Sequence, residues 1–291
     1  MRKLSKRNHV YSFSPDHTPV YEIDLGETVV VETWDAFAGR YTEPDGGQSI
    51  EDKANPATGP IAVRGIAPGD TLAIEILGVQ PVGTGILRSH DLLKKIPIVG
   101  EYAFFDDLPW RLQPMIGVLG LAPSQGEQHC HMPGMHGGNL DTNDVCAGAV
   151  LHLRAGAAGG LMAMGDVHAL MGEGESNGMG IEVGADITLR VYKEAQPLTR
   201  FPYILLNGRA VVVASAKTLD EASQMAVDEM RRIVIEQLQV DVDTARLLVG
   251  VLGNLRISQI VNPLKTVRVD MPLVRRGDRW ALRTGDTALC G

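Results

Sequence analysis

The sequence has little of what marks secreted or membrane-embedded proteins. Its 291 residues include only three cysteines. Because this number is small and uneven, a disulfide framework is not expected. No stretch approaches the roughly 20 apolar residues that span a bilayer. The basic start, MRKLSKRNHVYSF, has no apolar signal core behind it. We therefore expect a cytoplasmic protein with no membrane partner.

Positive charge is also scarce. The 27 lysines and arginines are outnumbered by 35 aspartates and glutamates, which gives a formal net charge of -8. No basic run is present that could follow a phosphate backbone, so nucleic acid is not expected as a partner. At 44% hydrophobic residues, the chain can form a large core.

Glycine and proline, in contrast, are abundant and spread along the chain, with 33 and 16 copies. This distribution favours many short strands joined by tight turns, and so a mainly β fold. The pattern predicts two strands within 18–33, and further strands at 60–64, 70–79, 116–121, 149–153, 161–164, 181–193 and 266–270.

Two helices are predicted near the C-terminus. Thr218 and Glu221 form a capping box, and apolar residues at helical spacing then continue to about Gln239. A second helix is predicted from about Asp243 to a stop at Gly253.

The segment from Gly165 to Glu175, GDVHALMGEGE, places an imidazole among three carboxylates. In a strand, side chains at i and i+2 share a face, so Asp166 and His168 can meet at one point. Gly172 and Gly174 allow the backbone to turn Glu175 back towards them. Imidazole with carboxylates suits zinc, iron or manganese, and carboxylates alone suit calcium.

A second polar segment, GMHGGNLDTND over residues 134–144, contributes Asn139 and Asp141. Because Asp141, Asn143 and Asp144 are closely spaced oxygen donors, a structural calcium site is an open alternative to a catalytic metal.

These two segments resemble the acetamidase/formamidase family, in which GGN-hydrophobic-D and GD-x-H-x-x-x-G-x-GE segments recur. The resemblance covers roughly residues 8–275, and the further matching segments are ETWDAF, NPATGP, PGD, GE and LRISQIVNP. Two departures bear on the substrate. Glu173 stands where the family usually has Asp, and a bulky loop, Gln128 to Met132, follows Glu127.

The resemblance implies a β-sandwich or jelly-roll-like core with an additional α+β portion near the C-terminus. It also implies hydrolysis of the C–N bond of a small linear amide of the formamide or acetamide type, giving ammonia and a carboxylate. Lactams and larger amides remain open. We expect one unit over 1–291, with sub-units 1–110 (β-rich) and 111–275 (site-bearing, with the helices) and a tail, 276–291.

Hydrolysis of an amide needs a polarised carbonyl, an activated water and a proton for the leaving amine. We hypothesise a divalent metal, zinc before calcium, bound by Asp141, His168, Asp35 and Asp166, with Asp166 alternatively orienting an imidazole. Glu127 is the preferred acid/base, and Glu175 competes with it. Asn139 is a candidate donor to the oxyanion.

Other chemistry stays open at this point. Cys130, between His129 and His131, is a candidate nucleophile, although nothing in the sequence places a base against it, and the segment is a poor match to structural zinc sites. A metal-dependent oxygenase or isomerase on a jelly roll, or a non-catalytic calcium-stabilised binding module, would show similar residues. A homodimer or higher homo-oligomer is expected.

Overall fold

The computed structural model describes residues 1–42, 54–89, 91–277 and 279–283, and strands dominate it. In chain order these are β1 (Arg2–Leu4), β2 (His9–Val10), β3 (Ser12–Phe13), β4 (Tyr21–Ile23), β5 (Thr28–Thr33), β6 (Ala57–Val63), β7 (Thr71–Ser89), β8 (Leu92–Ile96), β9 (Ile98–Val99), β10 (Tyr102–Phe105), β11 (Leu108–Arg111), β12 (Met115–Gly120), β13 (Gln128–His129), β14 (Pro133–Gly134), β15 (Gly137–Asn139), β16 (Val150–Arg154), β17 (Met162–His168), β18 (Glu182–Glu194), β19 (Tyr203–Leu206), β20 (Arg209–Ala216), β21 (Asn254–Gln259), β22 (Lys265–Met271), β23 (Leu273–Arg276) and β24 (Arg279–Leu282). The helices are α1 (Leu219–Leu238) and α2 (Val242–Leu252).

A large, curled, mostly antiparallel sheet forms the body of the molecule. Its longest strand, β7, pairs with β18 along most of its length and also with β16 and β8. On the edge opposite β7, strand β18 pairs with β17 at Glu182 and Val183 and with β5 further along the strand. Apolar side chains that alternate along these strands fill the main core, as expected for sheets with one buried face. The mainly β prediction is confirmed.

The helices cover a separate part of the sheet. Thr218 and Glu221 form the predicted capping box, and α1 ends at Gln239 in the left-handed conformation. Helix α1 packs on β20 and β22, and α2 packs on α1, around a second apolar core. Both predicted helices and the C-terminal α+β portion are therefore confirmed.

Some elements differ from the sequence-based bounds. Strand β7 continues ten residues beyond the predicted end at Val79, because it pairs with β18 and then turns into β8. The three-stranded sheet β9–β10–β11 was not predicted. The division near residue 110 stays a prediction, and much of the predicted tail, 276–291, lies outside the described residues. Within the described ranges, neither helix is long and apolar enough to cross a bilayer.

Strand β12 brings the two polar segments together. It is buried along its whole length and lies between β15 and β17, with Val118 opposite both Asn139 and Gly165. Consequently, the residues that follow β15 and the C-terminal half of β17 meet beside one strand.

Candidate active site

Three of the four predicted metal ligands form one cluster. Asp141, Asp166 and His168 each offer a ligand atom within 4.8 Å of the other two. All three side chains are buried, with at most 3% of their surface exposed. A carboxylate-rich group with one imidazole, enclosed by protein, has the donor types of a divalent metal centre.

The backbone at the site is strained. Asp141 has φ 42°, Asp166 φ 54° and Glu175 φ 47°, all in the left-handed region that side-chain-bearing residues rarely adopt. Such conformations cost of the order of 1–3 kcal/mol each and cluster at functional sites. They explain how residues of different strands and loops aim at one point.

Gly117, on β12, makes room for two of these carboxylates. A Cβ atom at this position would lie 2.5 Å from Oδ1 of Asp141 and 2.7 Å from the carbonyl oxygen of Asp166. Only a residue without a side chain therefore allows both aspartates to approach the strand this closely.

The imidazole of His168 is held by its neighbours. Nε2 lies 3.1 Å from Oε1 of Glu182, which is directly opposite on β18, and 3.8 Å from Oδ1 of Asp166. Nδ1 lies 3.2 Å from the sulfur of Met171. Burial acts to lower the pKa of His168, but the charge of Glu182, together with those of Asp166 and Asp141, raises this pKa well above its ordinary value.

Glu175 joins this cluster and behaves as a weak acid. Burial, followed by the neighbouring Asp141 carboxylate, raises the pKa of Glu175 to about 9. Burial is likewise the main cause that raises the pKa of Asp141 and, more strongly, that of Asp166. The protein has gathered more acid groups than the one imidazole can neutralise.

Several oxygens at the site also lack partners. Within the described part of the chain, buried oxygens without a hydrogen-bond partner include Oδ1 of Asn139, Oδ1 of Asp141, Oε2 of Glu175 and Oε2 of Glu182. Leaving a buried polar atom unpaired costs about 1–3 kcal/mol. A divalent cation would satisfy both the unpaired oxygens and the excess of acid groups, so the residues present fit a metal.

Three residues that the sequence hypothesis did not assign complete the cluster. Glu182 contacts His168, Asn55 donates to Oδ2 of Asp166 at 2.8 Å, and Asn262 donates to Oδ2 of Asp141 at 2.7 Å. Both asparagines lie in segments that carry the family resemblance, NPATGP and IVNP, which was an available signal. A buried glutamate at the start of the apolar run of β18 was another.

Asp35 and Glu127 do not belong to the three-residue group, although burial and, more weakly, the charge of Glu182 raise the pKa of Asp35. Asp35 is buried but lies outside the three-residue group, and it accepts hydrogen bonds from Phe37 N, Gly39 N and Thr42 Oγ1 at 2.8–3.0 Å. Glu127 is exposed in the turn before β13, and no hydrogen bond or ion pair in the described chain joins it to the cluster. The roles predicted for both residues stay predictions.

Cys130 is part of a small apolar core. The cysteine is fully buried beside Phe13 and Val118, and burial raises the pKa of its thiol far above the ordinary value. The rings of His129 and His131 lie against each other with centroids 4.0 Å apart and an angle of 37° between their planes. A buried, protonated thiol is a poor nucleophile.

Comparisons with known proteins agree with these observations. A model of the acetamidase/formamidase family matches residues 2–106 and 126–263. The acetamidase structure of Bacillus halodurans is 34% identical, covers 92% of this chain and 96% of its own, and has a TM-score of 0.87. The structure of a predicted acetamidase/formamidase of Thermoanaerobacter tengcongensis is 32% identical, covers 93% of this chain and 95% of its own, and has a TM-score of 0.88.

A curated protein of Schizosaccharomyces pombe with a provisional formamidase name is more distant. It is 23% identical over 252 residues, which amount to 60% of this chain. The match spans 62% of that relative's length.

Proposed function

The chain belongs to the acetamidase/formamidase family, and from that premise we propose that it is a metal-dependent amidohydrolase. The reaction is hydrolysis of the C–N bond of a small linear amide of the formamide or acetamide type, with ammonia and a carboxylate as products. The observation that carries this proposal is the buried group Asp141, Asp166 and His168, with unpaired oxygens around it.

Asp141, Asp166 and His168 would hold the metal, and zinc is the ion we propose because an imidazole nitrogen is among the donors. When bound, such a metal polarises a carbonyl and lowers the pKa of a water molecule. Asn262 and Asn55 keep the two aspartates oriented through their carboxamide groups.

Glu175 is the acid/base that the geometry favours over Glu127. It is buried next to Asp141, and its raised pKa allows the carboxyl group to hold a proton at neutral pH. A divalent cation held beside it would favour the carboxylate form, and Glu175 as a carboxylate could then take a proton from water and give it to the departing amine. Asn139, which is buried at the end of β15, is the donor that we propose for the developing oxyanion.

Ammonia release from formamide, acetamide, longer aliphatic amides and a lactam tests the proposal. The metal is removed by chelation and then returned. We expect release that stops on chelation and returns with zinc. Release that is indifferent to chelation would contradict the metal mechanism. Calcium in the purified protein with no release from any amide would instead favour the binding-module alternative.

The residue assignment is tested by a matched pair of isosteric variants. Glu175→Gln should lower kcat by a factor of about 100 to 10,000, the usual contribution of acid–base catalysis, while zinc stays bound. Glu127→Gln, on the exposed turn, serves as the control. A large loss of kcat in Glu127→Gln with none in Glu175→Gln would reverse the two roles.

We also propose that the chain works as a homodimer or higher homo-oligomer. This is supported by large apolar side chains that stand exposed on α2 and β21, namely Leu247, Val251, Leu255 and Ile257. Light scattering of the purified protein measures the mass directly, and a monomer at micromolar concentration would overturn this. The cytoplasmic location stays a prediction.

A further inference from the structure

One buried cation outside the metal cluster has three side-chain acceptors. Arg268, on β22, has 2% of its surface exposed. Its Nε donates to Oδ2 of Asp144 at 2.6 Å, and Nη1 donates to Oγ of Ser258 at 3.1 Å. Its Nη1 and Nη2 both donate to Glu173, with Nη1 2.8 Å from Oε2. This is the two-pronged arginine–carboxylate arrangement, the most directional ion pair that proteins form.

Glu173, the partner of Arg268 in this pair, lies close in sequence to the proposed acid/base Glu175. Glu173 is two residues before Glu175, in a segment where Gly172, Gly174 and Gly178 leave the backbone few conformational limits. The carboxylate of Glu175 can be in place only if this segment holds one conformation. The Arg268–Glu173 pair is the charged contact that ties the segment to the C-terminal α+β portion.

Backbone hydrogen bonds tie the same segment to the same portion. Gly174 N donates to the carbonyl of Ser258, and Ile260 N donates to the carbonyl of Gly174, both at 3.1 Å. Ser258 is also bonded to Arg268 through its side chain. Residues 173–175 are therefore attached on one side to residues 258–260 and, through Glu173, to β22.

The turn that follows β21 reaches the metal cluster. Oε1 of Gln259 accepts from the backbone N–H groups of Val261 and Asn262, each at 2.9 Å, which fixes the turn after β21. Asn262 then donates to Asp141. One segment of the C-terminal portion thus contacts both Asp141 and the Glu175 segment.

We propose that Arg268 is a positioning residue for the reaction: by pairing with Glu173, it holds the loop that carries Glu175 in the conformation required for proton transfer. The inference rests on the proposed function. Arg268 does not touch the reacting atoms. It acts on the segment through Glu173 and, less directly, through Ser258, whose carbonyl accepts from Gly174 N. Asp144, its third partner, lies in a turn that is also held by the backbone bonds from Val145 N to Thr142 O and from Ile116 N to Val145 O.

The length of the Glu173 side chain fits this role, because its carboxylate reaches both Nη1 and Nη2 of Arg268. An aspartate carboxylate would stand one methylene, about 1.5 Å, further back on the same backbone, beyond reach of both guanidinium nitrogens. In this chain the ion pair therefore depends on the longer side chain. Glu173→Asp should then weaken turnover, and Glu173→Gln, which keeps the length and one acceptor, should weaken it less than Glu173→Ala.

The central test uses Glu173→Gln in the metal-loaded protein with formamide as substrate. Because Glu173 has a side chain 45% exposed, the substitution should leave the fold intact. We expect kcat to fall roughly 10- to 100-fold, the cost of a misplaced group, with KM and zinc affinity within about threefold of wild type. Glu75→Gln is the control, since it removes the carboxylate of another arginine–glutamate pair, Glu75–Arg190, which lies on the sheet and is partly exposed.

Hydrogen exchange supplies a readout that does not depend on activity. The amides of Gly174 and Ile260 report on the attachment of the segment. In Glu173→Gln, their exchange should accelerate at least about tenfold, a local opening, while amides of β7 and β18 stay unchanged. In the Glu75→Gln control the exchange of the Gly174 and Ile260 amides should not change.

Substitution of Arg268 itself is harder to interpret, because it also removes the close partner of the buried Asp144. The remaining cation near Asp144 is Arg209, whose Nη2 is 3.7 Å from Oδ1. If Arg268→Met folds, the double variant Arg268→Met with Glu173→Gln should have the same kcat as Arg268→Met alone. Additive losses would overturn the inference, as would unchanged kcat and exchange in Glu173→Gln, or a parallel loss of zinc affinity. If wild type releases no ammonia, the proposed function fails, and exchange still tests the attachment.

Discussion

His168 and Glu182 face each other across β17 and β18, with Nε2 of the imidazole 3.1 Å from Oε1 of the carboxylate. Both side chains are almost wholly buried. Water cannot screen the pair, so the carboxylate acts strongly on the protonation of the imidazole. The same pair fixes the direction of the ring within the cluster.

Glu182→Gln should lower the pKa of His168 in the chelated protein. A carboxylate this close favours the imidazolium and typically shifts such a pKa by roughly 1 to 3 units. The measurement is an NMR titration of the His168 ring. Glu194→Gln is the control, because Glu194 faces a different imidazole, that of His152, at 3.7 Å. Equal His168 titrations in wild type and Glu182→Gln would contradict the assigned pair.

The chelated protein should lose stability as the pH rises from about 5 to 9. Glu175 in the unfolded chain releases its proton near pH 4.5, whereas the folded protein keeps it to about pH 9. Between these values the native state binds more protons, so the free energy of unfolding decreases with pH. Thermal unfolding at several pH values measures this decrease, and Glu175→Gln should reduce its slope. Parallel curves for the two proteins would count against the raised pKa.

Gly117→Ala should damage the metal cluster. The added methyl group would meet Asp141 Oδ1 and the Asp166 carbonyl at 2.5 and 2.7 Å, inside a strand that cannot move aside. We expect loss of zinc binding and a destabilisation of roughly 1–3 kcal/mol, the usual cost of overpacking. Gly250→Ala on α2, where nothing lies within 4 Å of the new methyl group, is the matched control. Normal zinc affinity in Gly117→Ala would show that the aspartates can shift without penalty.

The sequence was sufficient for the elements whose signals are local. Thr218 and Glu221 are sufficient to predict the capping box of α1, and the strands predicted at 116–121 and 161–164 overlap β12 and β17. Asp141, Asp166 and His168 were identified as partners because i and i+2 residues share a face and because the two segments occur in a known order.

What the sequence could not provide depends on tertiary pairing. Glu182 becomes a neighbour of His168 only through the register of β17 on β18, which no local pattern specifies. Asn55 and Asn262 reach the cluster from 111 and 121 residues away in the chain. Glu127 was preferred over Glu175 as acid/base because sequence does not reveal that one is exposed in a turn and the other buried beside Asp141.

These distant asparagines provide the last prediction. Asn262→Ala removes the donor to Oδ2 of Asp141, so this aspartate loses the group that orients it. Outer partners of this kind typically contribute 10- to 100-fold to metal affinity, and we expect a loss of that size in zinc competition titrations. Asn55→Ala should have a similar effect through Asp166. Asn177→Ala is the control, since Asn177 is an exposed asparagine whose bond goes to the Arg88 carbonyl. If the two cluster variants bind zinc like the control, the asparagines do not orient the aspartates, and the left-handed backbone at Asp141 and Asp166 holds them in place without that help.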